Sequence, residues 1–332
     1  MTTSRRARHE RLSAWLSARA DDEVTALVGA GERVGVGGAT GVVEVDGEAV
    51  FVKRVPLTGA EAARPHDTAN LFDLPVSCQY GIGGPSFTAW RELAANRVVT
   101  EAVLAGETAA FPLLHHWRVL PGRPPVAAEH SDVDAVVALF GGSTAVRARL
   151  EALAAAPACL VLFFEHLPHP VEGWLDDDPA GKAGQVEREL TGIVTFLRER
   201  ELLHMDAHFG NLRTDGERLY LTDFGLVTSP TFDLSPAERD FVRRNATHDA
   251  DYAAMRLVNW LVTAVCGVSV PPGGVPSACN AFVRRCADGD LPDDVPPAVV
   301  AILARHAPTA ARLNDFYWRL FDGEVLTPYP SR

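Results

Sequence analysis

Asp206, Asn211 and Asp223 stand at a spacing that phosphoryl-transfer chemistry can use. Asp206 and Asn211 lie five residues apart in Leu203-His204-Met205-Asp206-Ala207-His208-Phe209-Gly210-Asn211, and Asp223 follows twelve residues later at the head of Asp223-Phe224-Gly225. A carboxylate at Asp206 can accept or orient the proton of a hydroxyl that attacks phosphorus in line. The side-chain carbonyl of Asn211 and the carboxylate of Asp223 are hard oxygen ligands suited to Mg2+. Taken singly, each residue is as well explained as a solvated loop or turn residue. Three such identities in one spacing rarely arise from loop chemistry alone.

The elements that must hold these residues are legible nearby. Leu219 to Thr222 reads as a short strand just before Asp223, and Asp215-Gly216 as the turn before it, so a hairpin is expected to set Asn211 and Asp223 on adjacent chains. Gln185 to Arg198 is amphipathic and leads into the motif. His204 is expected to pack beneath the loop as structural support. Upstream, Val50 to Val55 alternates so that Phe51, Lys53 and Val55 share one face and Val50, Val52 and Arg54 the other. A lysine on an apolar face needs a partner, unless it lies on an edge strand in solvent. On the helix from about Thr88 to Ala105, Glu92 and Glu101 are the candidates, with Glu92 the choice and Glu101 left open.

Gly35, Gly37, Gly38 and Gly41 sit between the first two strands, and Cys159 to Phe164 is a continuous apolar strand running into Glu165-His166-Leu167. This succession of glycine turn, strand Lys, helix Glu, apolar strand ending in Glu, H-x-D-x-x-x-x-N and Asp-Phe-Gly resembles the protein-kinase-like superfamily, from about Gly35 to Gly225. That superfamily includes eukaryotic-type protein kinases and the aminoglycoside, choline and related small-molecule phosphotransferases. The resemblance implies an α+β, bilobal protein-kinase-like fold, with a small antiparallel-sheet N-lobe and a mostly helical C-lobe. It implies ATP and Mg2+ as cofactors, Asp206 as the catalytic Asp, and Asn211 and Asp223 as metal ligands. Lys53 would meet the ATP phosphates with Glu92 fixing its direction. Gly35, Gly37, Gly38 and Gly41 would cover the phosphates, although their spacing departs from G-x-G-x-x-G, and backbone groups of Glu165 and Leu167 would pair with adenine.

Three details bear on the acceptor. His208 stands where protein kinases usually have Lys, and small-molecule phosphotransferases often have His there. Met205 replaces the Arg that many regulated protein kinases use to bind a phosphorylated activation loop. Ser235-Pro236-Ala237-Glu238 is only a loose echo of A-P-E. These favour a small-molecule hydroxyl, whereas Phe224-Gly225 after Asp223 is the protein-kinase form and keeps a Ser/Thr protein or peptide acceptor as the alternative. A nucleotide-binding scaffold without turnover is the contrasting class, and the intact Lys53, Asp206, Asn211 and Asp223 argue against it. The helix starting at Asp249 resembles one whose Asp steadies the catalytic loop, with simple capping by Asp249 an equally good account.

Composition narrows the partners. In 332 residues, 31 basic and 43 acidic side chains give a net charge of -12, which disfavours nucleic acid and anionic membranes. Five cysteines without C-x-x-C spacing point to neither a zinc site nor a disulfide framework. No signal-peptide core or membrane-length apolar run is present, so the expected location is the cytoplasm. Along the chain, residues 1–30 read as an N-terminal helical extension with Asp21 and Asp22 as caps. Residues 31–167 read as the N-lobe with insertions at 57–87 and 121–158, and 168–332 as the helical C-lobe. The insertions are candidate acceptor-selecting segments, with padding or a partner surface as the plainer account.

Overall fold

The computed structural model describes residues 3–29, 33–35, 38–270 and 276–330. Five strands, β1 (Arg33–Gly35), β2 (Gly38–Val45), β3 (Glu48–Leu57), β4 (Leu114–Pro121) and β5 (Ala158–Glu165), form an antiparallel sheet in the order β1-β2-β3-β5-β4. Asp46 and Gly47 close the β2–β3 hairpin with φ of 49° and 77°, the paired positive values that an Asp-Gly turn of the I′ type requires.

Alternation along β3 decides the layering. Val50 and Val52 point to one face, where they pack with Val161 and Phe163 against Leu12 and Leu16 of α1 (Thr3–Ser17) and Val24 and Val28 of α2 (Asp21–Val28). Phe51, Val55 and Leu57 point to the other, against Trp90 and Leu93 of α4 (Ala89–Ala105); α3 is the short helix Gly59–Ala62. Each fully buried Val, Leu or Phe contributes about 1.5–3 kcal/mol, so both helical layers are held by the sheet between them. The described part of residues 1–30 is helical and supplies one of the two layers that bury the sheet. Asp21 and Asp22 do not cap α2. Ala20 is the N-cap and donates its backbone N–H to the Glu23 carboxylate at 2.9 Å, while the aspartates lie in the first turn.

The described residues fall into two compact units: the chain up to Leu167 with Thr222–Phe241, and Pro168–Leu221 with Val242 onward. The break between Leu167 and Pro168 lies at the expected division, and one later stretch crosses it. Thr222–Phe241 belongs with the first unit, because its side chains bond to residues of the 57–87 stretch and α4. The two insertions are also joined to each other. Arg149, on α6 (Thr144–Ala154), which follows α5 (Val133–Leu139), donates to both oxygens of Glu61 at 2.8 and 3.1 Å with both side chains buried.

In the second unit, β6 (His169–Pro170), β7 (Leu212–Thr214) and β8 (Leu219–Leu221) form a small antiparallel sheet, and the Asp215-Gly216 turn closes β7–β8 as expected. The rest is helical: α7 (Val171–Asp176), α8 (Pro179–Glu199), the last turn of α9 (Pro236–Arg244), α10 (His248–Ala264), α11 (Ser277–Ala287) and α12 (Pro297–Phe321). The α+β architecture, with its antiparallel sheet in the N-terminal part and helices in the C-terminal part, is the one expected. Among the described residues no helix is long and apolar enough to cross a membrane. All five cysteines are free thiols.

Candidate functional site

The first unit gathers Lys53, Glu92 and Asp223. Lys53 lies on β3, in the middle of the sheet, and its side chain leaves on the α4 face. It is 3% exposed, which rules out the solvated edge lysine. Its ammonium donates to Glu92 Oε1 and to Asp223 Oδ1, both at 2.7 Å. Glu101 is exposed on the same helix. Nine residues beyond Glu92, about two and a half turns, it falls on the opposite face.

Lys53 thus serves two carboxylates. Burial alone would push the ammonium pKa down, but Asp223 and Glu92 outweigh it and hold it above the ordinary lysine value. Glu92 fares differently. Burial pushes its carboxyl up to about 7, Lys53 opposes this, and the neighbouring Asp223 charge adds to it. The cation is shared, so it offsets only part of the cost of burying Glu92. Asp223 is the accessible member, its side chain 40% exposed against 4% for each of the others.

Backbone geometry sets Asp223. Its φ of 64° lies in the left-handed region, and Oδ1 also accepts from the Gly225 N–H at 3.1 Å. A Cβ at Gly225 would meet Asp223 Oδ1 at 3.0 Å and Lys53 Nζ at 3.6 Å, so glycine leaves the space in which the charges meet. Phe224 is fully buried against Phe111, with ring centroids 6.0 Å apart.

The second unit carries the loop of Asp206. Asn211 Nδ2 donates to the Asp206 carbonyl at 2.9 Å and to its Oδ2 at 3.1 Å. His208 donates its backbone N–H to the same carbonyl at 2.8 Å, and its Nε2 lies 3.7 Å from Asp206 Oδ2. His204 is fully buried and its Nδ1 accepts from the Asp206 N–H at 3.3 Å, the supporting part expected of it.

Asp249 is not the cap of α10, whose N-cap position is Thr247. Its carboxylate accepts from the backbone N–H of His204 at 2.6 Å and of Met205 at 3.0 Å, and so fixes the entry to the loop, where Met205 takes a φ of 68°. Burial would push the Asp249 carboxyl up, but hydrogen bonding and charge from His248, with His204, hold it below the ordinary value. His248 in turn meets Tyr317 of α12, Nε2 to the hydroxyl at 2.7 Å. The clue in the sequence was the Asp249 position on its helix. The His248–Tyr317 contact left none, because it joins residues 69 apart.

The glycines and the hinge candidates stand apart from this. Gly37 lies outside the described residues. Gly35 pairs with Gly38 across β1 and β2, and Gly41 pairs with Val52. Gly38, with φ of 121°, is required by packing, since a Cβ there would meet the Arg54 carbonyl oxygen at 2.2 Å. The Glu165 side chain is consumed by Arg5, whose Nε lies 2.9 Å from both of its oxygens, and by Arg8 at 3.1 Å. Its backbone N–H donates to the Leu113 carbonyl at 2.9 Å. The N–H is therefore already committed and cannot serve the adenine pairing expected of this residue. Leu167 is half-buried at the end of the first stretch of the first unit.

No protein-family model matches the chain, and no curated protein matches it. Among solved structures, one described as "WaaP in complex with acyl carrier protein" is similar at 15% identity, covering 90% of this chain and 95% of that one with a TM-score of 0.39. A likeness at that score carries no argument about chemistry, which rests on the residues above.

Proposed function

We propose that the chain is an ATP- and Mg2+-dependent phosphotransferase that moves the γ-phosphate to an alcohol, with a small molecule as acceptor. The observation that carries this reading is the buried Lys53 bonded at 2.7 Å to both Glu92 and Asp223. A buried ammonium held by one buried and one accessible carboxylate suits a phosphate-binding cation beside a metal ligand. The donor chemistry fits Mg2+. Among the described residues no cluster of three or more His, Cys, Asp or Glu could hold a metal, but Mg2+ commonly uses one or two protein oxygens and completes its shell from substrate phosphates and water. Asp223 offers a carboxylate, and Asn211, with Nδ2 committed to Asp206, offers its Oδ1. When bound, the metal would neutralise charge on the phosphates.

The chain's own residues supply the rest. Asp206 takes the proton of the acceptor hydroxyl as its oxygen bonds to the γ-phosphorus and the bond to the β-phosphate bridging oxygen breaks, releasing ADP. Lys53 stabilises charge on the nucleotide, and Glu92 keeps its direction. Asp249 and His204 hold the loop that presents Asp206. His208 and Met205 support the small-molecule acceptor, while Phe224-Gly225 after Asp223 supports a Ser/Thr protein or peptide acceptor as the second reading.

The test is incubation of the full chain with γ-labelled ATP and Mg2+, with a host metabolite extract in one arm and host proteome in the other. Label in a small molecule supports the leading reading. Label in protein bands alone overturns the acceptor, and transfer to nothing in either arm overturns the activity.

A further inference from the structure

Two adjacent ionic residues in the first turn of α4 face different partners. Glu92 turns to Lys53, and Arg91, 2% exposed, turns to the segment that follows Asp223. Arg91 Nη2 donates to Glu238 Oε1 at 2.6 Å, and its Nε donates to the Thr68 carbonyl at 2.7 Å. The guanidinium lies over the rings of Phe87 and Phe232, at 4.9 and 5.7 Å from their centroids. Glu238, 4% exposed, is equally committed. Its Oε2 accepts from the Ser235 N–H at 2.9 Å while Ser235 Oγ accepts from the Glu238 N–H at 3.2 Å, a reciprocal cap at the start of α9. The same segment is tied down at other points. Gln79 Nε2 donates to the Leu226 carbonyl, Asp233 N–H donates to Thr68 Oγ1 at 2.9 Å, and Tyr80 packs on Phe241 at 5.2 Å between centroids.

In phosphotransferases of this kind, the strand Lys–helix Glu pair and the metal-binding Asp must be in place together, and regulated members order them by phosphorylating the segment after that Asp, which new Arg–phosphate bonds then hold. Here Met205 stands where such an Arg would be. A carboxylate built into the chain already engages an arginine on the Glu92 helix. A buried ion pair is weak as a source of stability, since apolar side chains of like volume would serve as well or better, and what it supplies is direction. We infer that Arg91 and Glu238 are positioning residues that lock α4 to the segment after Asp223, keeping Glu92 and Asp223 on Lys53 without phosphorylation. This rests on the phosphotransferase reading for its kinetic consequences.

The experiment uses the full chain in four forms: wild type, Glu238→Gln, Arg91→Lys, and the apolar double replacement Arg91→Met with Glu238→Leu. Each is measured for melting temperature, hydrogen exchange across 89–105 and 222–235, and kcat and KM for Mg-ATP, and wild type is also assayed after a broad-specificity protein phosphatase. The double replacement is expected to melt at or above the wild-type temperature, yet to exchange faster in both stretches and to lose about tenfold or more in kcat/KM, mainly through KM for Mg-ATP. Glu238→Gln should show the same kinetic loss, Arg91→Lys should recover part of it, and phosphatase should leave the wild-type rate unchanged. A folded double variant with wild-type exchange and kinetics overturns the positioning role. A rate that collapses on phosphatase treatment overturns independence from phosphorylation. Wild type that transfers no phosphate overturns the phosphotransferase reading instead, and the exchange comparison then still decides whether the pair holds α4.

Discussion

Lys53 shared between Glu92 and Asp223 makes the site sensitive to pH in a defined direction. The Glu92 carboxyl rises from 4.5 to about 7, so the folded chain keeps a proton there that the unfolded chain has already released. Its contribution to stability is present in full below pH 4.5 and is lost as the pH climbs through about 7. Glu92→Gln should remove that slope, and urea titrations between pH 4.5 and 8 that retain the wild-type slope would count against it. Asp223→Ala should lower the Glu92 pKa, because Lys53 then serves one carboxylate, and should weaken Mg2+-dependent ATP binding by about tenfold or more, read by calorimetry with and without the metal. Unchanged metal-dependent affinity would remove Asp223 from the metal. At this scale the motif residues were legible because their chemistry is local. Glu92 was chosen over Glu101 from the sequence, but Glu101 stayed open there because the rotation of α4 on the sheet, which the packing of Trp90 and Leu93 sets, is not local.

Elements show where local reading ends. The two faces of β3 followed from alternation, and the Asp46-Gly47 hairpin from its turn residues. The union of the 57–87 and 121–158 insertions did not, because the Glu61–Arg149 pair joins residues 88 apart. Arg149→Met leaves a buried carboxylate unpaired and is expected to cost about 3–5 kcal/mol in urea unfolding. A change below about 1 kcal/mol would show the insertions to be separately supported. Helix α1 has a second tie beside Arg5–Glu165, the contact of His9 Nδ1 with His115 Nδ1 at 3.0 Å. Burial, with the neighbouring His9, Arg8 and Arg5 charges, lowers the His115 pKa from 6.5 to about 3. Stability from this neutral ring is present above pH 6.5 and is lost as the pH falls from there toward 3. His115→Phe should flatten that acid limb, and an unaltered limb would assign it to other groups. The glycine turn taught the reverse lesson, for Gly38 is explained by the Arg54 carbonyl against it, a contact made across the sheet.

On the scale of the molecule, the sheet-bearing unit holds Lys53, Glu92 and Asp223, and the helical unit holds Asp206, Asn211 and Asp249. The helical content from Asp251 onward and the strands at Val50–Val55 and Cys159–Phe164 were readable from apolar periodicity. The return of Thr222–Phe241 to the first unit was not, because contacts such as Arg91–Glu238 join residues 147 apart. With Asp206 as the proposed base of the transfer and Lys53 and Asp223 as the proposed nucleotide side, binding and turnover should separate on mutation. The most direct measurement compares wild type and Asp206→Ala for γ-phosphate transfer to the acceptor and, in parallel, for Mg-ATP affinity. The expected result is a turnover lower by about 100-fold or more with affinity nearly unchanged, and equal turnover in the two proteins would contradict the account.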